Sequence, residues 1–310
     1  MKHPVERSTS SFVILAALLL STALLSGCSE NETRPEPWIP PDEWQQVTSS
    51  DASDWDPTWS PDGSKLAYSS PHLGNSGSAP YHTIWIIPAL GGEPRQLSEM
   101  PASFPSWSPD GKRIAFSSGT GGGDICAVWT ADTTGTELVR LTSGTGGDLY
   151  PQWSPDGSHI VYTSGGYSGP YSSWIIPATG GDPMEILGED ETTGAGTWSP
   201  DSTMIAYTTK RTGNFDIWLV PLSGGPPIQL TDSTANERLP SWSPNGRYIA
   251  FSSSQPGSHA DIWIIPAAGG NAVQATFESS VSEEYSCWSP DGSHIAFSAN
   301  GDIWIIEIEL

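Results

Sequence analysis

Four acidic side chains stand at one recurring place in this sequence. Asp54, Asp148, Glu237 and Glu283 each lie five residues before a tryptophan, and Trp55, Tyr150, Arg238 and Tyr285 follow them within one or two residues. Carboxylates at equivalent positions of a repeat attract a cationic segment, with the aromatic rings as anchors. They also suit Ca2+ or Mg2+, which take oxygen ligands. Three of the six histidines, His72, His82 and His259, fall in loops. They are candidate metal ligands only if the fold brings their imidazoles together, since no ligand spacing supports them. Nucleophilic catalysis finds little here. The Gly-x-Ser-x-Gly elbow of a hydrolase is absent, because Gly74–Gly77 and Gly166–Gly169 have the wrong spacing. The glycine-rich stretches 119–123 and 144–147 are followed by no helix that could hold a phosphate.

Charge narrows the partners. The chain has 12 Lys+Arg against 35 Asp+Glu, a formal net charge of -23. Nucleic acid is excluded as a partner, because its phosphates need a basic footprint. An anionic membrane surface is disfavoured for the same reason. A protein or peptide with a basic surface fits, and so does a divalent metal; plain solubility is the alternative reading of the charge. The three cysteines, Cys28, Cys126 and Cys287, include no close pair that suggests zinc and cannot build a disulfide framework.

The elements that must position these residues are read from a repeat. Trp-Ser-Pro-Asp-Gly occurs at Trp59, Trp107, Trp153 and Trp288, with variants at Trp198, which ends in Ser202, and at Trp242, which carries Asn245. The intervals are 44 to 48 residues, a period of propellers and solenoids. With 33 Gly, 28 Pro and 15 Trp, long helices are disfavoured and short strands joined by turns are favoured. Each repeat reads as four strands. The first ends in Trp-Ser, and Pro-Asp-Gly makes a turn. A strand such as His294–Ser298 follows, then one such as Ile262–Ile265, a glycine-pair turn, and a fourth strand such as Ile228–Thr231. The expected fold class is therefore all-β, a six-bladed β-propeller of four-stranded antiparallel blades.

The sixth repeat stops after its third strand, while Gln45–Thr48 resembles the fourth strands elsewhere. The N-terminal strand, about residues 45–48, is expected to pair with the last blade and close the ring, which hides an open strand edge. Loops between second and third strands share a rim with the inter-blade loops. Those inter-blade loops hold 13 acids and a single base, Arg238. This rim, at the mouth of the central channel, is the expected binding face.

The first 27 residues read as an export signal. Lys2 and Arg7 precede an apolar run from Phe12, too short to span a bilayer, and the run ends in Leu25-Ser26-Gly27-Cys28. That ending resembles a bacterial lipobox. The resemblance implies cleavage before Cys28, lipidation of Cys28, and a mature chain tethered through the proline-rich stretch 28–44. Ser29 after Cys28 points to the outer membrane or cell surface, with a periplasm-facing anchor as the alternative.

The core Pro-x-Trp-Ser-Pro-Asp-Gly, followed by Ile-Ala-Phe and Ile-Trp, resembles the TolB-type propeller repeat over roughly residues 45–310. Pro57, Pro105, Pro151 and Pro240 supply the leading proline, whereas Gly196 and Ser286 depart from it. The resemblance implies the propeller fold. The same repeat caps prolyl oligopeptidase-type peptidases and forms some pectate-degrading lyases, so it implies no single activity. The reading from sequence is a lipid-anchored, monomeric docking scaffold of the bacterial envelope, without cofactor or catalysis. Its rim residues are Asp54, Trp55, Asp148, Tyr150, Glu237, Arg238, Glu283 and Tyr285. The alternative is a carbohydrate- or divalent-metal-binding propeller, or a propeller lyase or hydrolase, that uses the channel mouth.

Overall fold

Each Trp-Ser-Pro-Asp-Gly motif folds alike because its own side chains close the turn. In the computed structural model, Ser60 Oγ donates to Asp62 Oδ1 (2.6 Å), which also accepts from the Ser64 amide (3.0 Å), while the Lys65 amide donates back to Ser60 Oγ (3.0 Å). The same serine–acid bond recurs at Ser108–Asp110, Ser154–Asp156, Ser199–Asp201 and Ser289–Asp291. Asn245 replaces the acid without loss, since its Oδ1 accepts from both Ser243 Oγ and the Arg247 amide. The turn glycine has a positive φ, +74° at Gly157, and a Cβ there would come within 3.2 Å of Pro109 in the preceding blade. Ser202 takes the left-handed conformation without that freedom (φ 59°).

The structure describes residues 44–49, 52–72, 81–119, 126–143, 146–165, 171–192, 194, 196–277 and 280–309. The export signal, Cys28 and the tether to residue 43 lie outside them. Among the described residues every regular element is a strand. β1 (Gln45–Gln46) stands apart from the run of blades. Blade 1 is β2 (Trp55–Trp59), β3 (Lys65–His72), β4 (Tyr81–Pro88) and β5 (Arg95–Gln96). Blade 2 is β6 (Ser103–Trp107), β7 (Arg113–Ser118), β8 (Ala127–Asp132) and β9 (Val139–Arg140). Blade 3 is β10 (Asp148–Trp153), β11 (His159–Ser164), β12 (Tyr171–Pro177) and β13 (Met184–Thr192). Blade 4 is β14 (Thr197–Trp198), β15 (Met204–Thr209), β16 (Asp216–Pro221) and β17 (Ile228–Gln229). Blade 5 is β18 (Asn236–Trp242), β19 (Tyr248–Ser254), β20 (Asp261–Pro266) and β21 (Val273–Gln274). Blade 6 is β22 (Glu283–Trp288), β23 (His294–Ala299) and β24 (Asp302–Glu307), with β1 as its fourth strand. The six four-stranded antiparallel sheets and the closure are as the repeat predicts.

The core lies between blades. Trp107 packs on Ile84 and Ile86 of blade 1, Trp198 on Val161 and Ile175 of blade 3, and Trp288 on Ile262 and Ile264 of blade 5. Each first-strand tryptophan is thus a wedge against the preceding blade. Three of them donate an indole N–H to a backbone carbonyl of that blade: Trp59 to Cys287 O (3.3 Å), Trp198 to Gln152 O (3.1 Å) and Trp288 to Ser241 O (3.2 Å). Removing one such ring costs about 3–5 kcal/mol. Trp107, Trp198 and Trp288 are buried, whereas Trp59, Trp153, Trp242 and the six third-strand tryptophans are partly buried.

Closure uses few bonds. Gln45 and Gln46 pair with Ile305 and Trp304. The Val47 amide donates to Ile303 O (2.8 Å), and the Ile303 amide donates to Thr48 Oγ1 (2.9 Å). Val47 is buried with Leu66, Tyr68, Ile303 and Ile305, so it also joins blade 6 to blade 1. Deletion through Thr48 is expected to lower the melting temperature by roughly 10 °C, taking about 3 kcal/mol for the lost burial and strand bonds. Calorimetry of the deletion and the intact chain checks this; an unchanged melting curve refutes the closure.

Candidate functional site

The first strands bend as they reach the channel mouth. β2, β6, β10, β18 and β22 each carry a register shift against the second strand of their blade. At each shift one non-glycine residue is left-handed: Asp56 (φ 58°), Phe104 (59°), Tyr150 (56°), Leu239 (55°) and Tyr285 (58°). All five stand three residues before the repeat tryptophan. A non-glycine residue held in this region costs on the order of 1–3 kcal/mol, and bulges re-aim side chains. The five side chains, with Gly196 of blade 4, line one recess of about 100 Å³.

Aromatic rings form much of its wall. Phe104 and Tyr150 have centroids 4.0 Å apart, and Trp55 meets Tyr285 edge-on at 6.3 Å. Trp55 is 38% exposed. Asp56 brings the charge. Its Oδ2 accepts from Ser69 Oγ (3.0 Å), and Ser69 Oγ in turn accepts from the Phe104 amide (3.1 Å). Its Oδ1 is shielded from solvent and has no hydrogen-bond partner. Burial pushes the carboxyl up to about 7, against the lowering effect of the Ser69 and Phe104 bonds, and nearby Glu284 adds to the rise. Burial also raises Glu284, opposed by Arg238. Tyr150 is pushed up to about 12, first by burial and then by Asp56.

The basic groups sit across the mouth. Arg238 lies 3.6 Å from the Phe215 ring centroid and Lys210 lies 4.1 Å from it. Lys210 belongs to the loop between β15 and β16, on the same rim, so this face is not uniformly acidic. It is acidic at blades 6 and 1 and basic at blades 4 and 5.

The four acids read from sequence as rim carboxylates lie inside the blade junctions. Asp54 is 1% exposed, Asp148 4%, Glu237 5% and Glu283 0%. Asp148 accepts from Ser164 Oγ (2.7 Å), Glu237 from Ser233 Oγ (2.6 Å) and Glu283 from Thr276 Oγ1 (2.8 Å). A threonine precedes each acid by six or seven residues: Thr48, Thr142, Thr231 and Thr276. Each of these hydroxyls accepts a third-strand amide, from Ile303, Val128, Ile217 and Ile262. The acids thus lie among the polar groups that join the fourth strand of one blade to the next blade, where they cannot meet a partner directly. Trp55, Tyr150, Arg238 and Tyr285 do reach the channel mouth, joined by Asp56 and Glu284, two of the 13 inter-blade acids, by the aromatic Phe104, and by Leu239, which sequence reasoning did not single out. The signal available for Leu239 was its position three before Trp242, shared with Asp56, Phe104, Tyr150 and Tyr285.

The other candidates separate. His82 lies on blade 1 and His259 on blade 5, and the side chain of His72 is outside the description. Among the described residues no three His, Cys, Asp or Glu side chains come together as a metal-holding group. Cys126 and Cys287 are free thiols on blades 2 and 6, and burial pushes Cys287 up to about 12. Cys28 is not described.

Residues 178–309 match the PD40 family, the TolB beta propeller domain. No curated protein matches the chain in sequence. Among solved structures, a TolB candidate from Agrobacterium tumefaciens is 21% identical with a TM-score of 0.67, covering 85% of this chain and 93% of its own. TolB from Acinetobacter baumannii is 20% identical (TM-score 0.61) over 83% of this chain and 63% of its own. A gluconolactonase from Xanthomonas campestris is 12% identical (TM-score 0.62) over 86% and 88%. The fold is therefore that of a six-bladed propeller, which TolB proteins and enzymes such as the gluconolactonase share. Its repeats are TolB-like, and the same signature extends through the blades ahead of residue 178.

Asp56 provides a test of the site's electrostatics. Its raised value means that the folded chain holds a proton which the unfolded chain releases near 3.8, so wild-type stability falls as pH rises from about 4 to about 7. Asp56→Asn removes that fall. The melting temperature of the variant should overtake wild type across this window and stay several degrees higher at pH 8; parallel pH profiles refute the assignment.

Proposed function

We propose that this chain is a non-catalytic docking propeller of the bacterial cell envelope, which binds a protein or peptide with a basic surface at the channel mouth. One observation carries the reading: five strained bulges from five blades turn Asp56, aromatic rings and Leu239 into one shared recess. Strain repeated at equivalent positions is retained where a site needs side chains aimed to one point. The chain's net charge of -23 draws basic partners toward it, and exposed Trp55 supplies an apolar anchor beside the recess.

A lipid anchor at Cys28 agrees with the way the chain enters the propeller. The Ile308 amide bonds Ser293 O, which places the end of β24 beside the Pro-Asp-Gly turn of blade 6. Gln45 pairs with Ile305 near that end, and Thr48 reaches Ile303 toward the other. Trp44, the first described residue, therefore lies at the turn face, opposite the channel mouth, and a tether leading from it toward a membrane on that side would leave the mouth open to a partner.

A second reading, small-ligand chemistry at the mouth, is favoured by the Asp56 carboxyl titrating near 7, a value suited to a general base.

Two experiments test the proposal. A photo-crosslinker at Trp55, on the mouth, should yield a discrete protein adduct in intact cells, while one at Leu90, on the turn face, should not; equal labelling from both faces sinks the docking reading. Cys28→Ala should move the chain from the membrane fraction to the soluble fraction, and retention in the membrane refutes the lipid anchor.

A further inference from the structure

We propose that the recess at the channel mouth is a receptor for one primary ammonium group, such as the side chain of a lysine in the docked segment, seated against Asp56 between the Phe104, Tyr150 and Tyr285 rings. The inference rests on the docking reading and names the chemistry of its ligand.

Four observations lead to it. First, Asp56 lines the recess; its Oδ2 is held by Ser69, and its Oδ1 is buried without a hydrogen-bond partner in the protein. A desolvated carboxylate oxygen without a donor is a costly arrangement that an incoming N–H relieves. Second, Asp56 makes no ion pair among the described residues. The two ion pairs among the described residues, Lys112–Asp110 and Arg113–Glu137, lie on blade 2 away from the mouth. The neighbouring charge, Glu284, has the same sign as Asp56, and Arg238 is stacked on Phe215 across the mouth. Third, the walls are aromatic, and ring faces attract a cation that has shed its water. Fourth, the recess of about 100 Å³ has room for an ammonium head and its last methylenes.

Asp56 is the carboxyl lining the recess, with Glu284 near it, Tyr150, Tyr285 and Cys287 staying neutral, and Arg238 at its far side. Ammonium binding therefore competes with protonation of Asp56 and strengthens as pH rises toward 8.

The test uses the whole chain, 15N-labelled, and follows the Trp55 indole signal, assigned through Trp55→Phe. Two probes are titrated: a blocked Gly-Lys-Gly peptide and the same peptide with acetyl-lysine. The lysine peptide should bind at least tenfold more tightly than the acetylated one. On wild type alone its affinity should rise about tenfold or more between pH 5.5 and pH 8, as the ionised fraction of Asp56 grows. Asp56→Asn should lose that affinity while remaining folded, and Arg238→Gln should keep it. Equal binding of the two peptides, or a pH-independent affinity, overturns the proposal. If the Trp55 crosslink persists while the two peptides bind alike, docking stands and ammonium recognition falls. If the lysine peptide binds with the expected pH profile and no crosslink forms, the ammonium site stands and docking falls.

Discussion

The propeller depends on a ring that its own two ends must close. Blade 6 is assembled from β22, β23 and β24 near the end of the chain and from β1 near residue 45. Until they meet, blade 6 lacks its outer strand, and the cluster of Val47 with Leu66 and Ile305 is incomplete. The contact spans some 250 residues of sequence, as in the bond from Gln46 to Asp302. Such long-range pairing is slow to form. The recess inherits this constraint, because Asp56 on blade 1 and Tyr285 on blade 6 line it from the two sides of the seam.

Between blades, polar and apolar contacts divide the labour. The first-strand tryptophans fill the wedge with apolar area. At the loop end of four junctions, a threonine hydroxyl and a carboxylate accommodate the polar backbone where the chain crosses from a fourth strand to the next first strand. Burying a carboxylate is tolerable only where donors meet it. The hydroxyls of Ser164, Ser233 and Thr276 are such donors. These acids belong to the frame. Asp56 differs, because it lines the recess and none of those four acids does.

The fold was legible because each blade repeats a turn whose side chains satisfy one another, so Trp-Ser-Pro-Asp-Gly marks the same geometry wherever it occurs. The missing fourth strand of repeat six and the surplus strand at Gln45 were visible by the same count. The site was less legible. Asp54, Asp148, Glu237 and Glu283 recur at one position, and recurrence alone does not distinguish display on a surface from the repeated burial these four share. The threonine six or seven residues ahead of each was the clue. At the position that does face the recess the residues are Asp56, Phe104, Tyr150, Leu239 and Tyr285. They share a backbone conformation and no side-chain chemistry. Residue type does not announce a left-handed φ, least of all before proline, which favours an extended conformation.

The shortness of β1 has a mechanical consequence. It is joined to β24 by only two paired residues and the bonds of Val47 and Thr48. A pull on the chain ahead of Trp44 runs along the strand and loads these bonds together in shear. The turns and wedges of blades 1 to 5 carry none of that load until the seam slips. Tension applied through the N-terminus is therefore concentrated on blade 6, whose first strand carries Tyr285 of the recess.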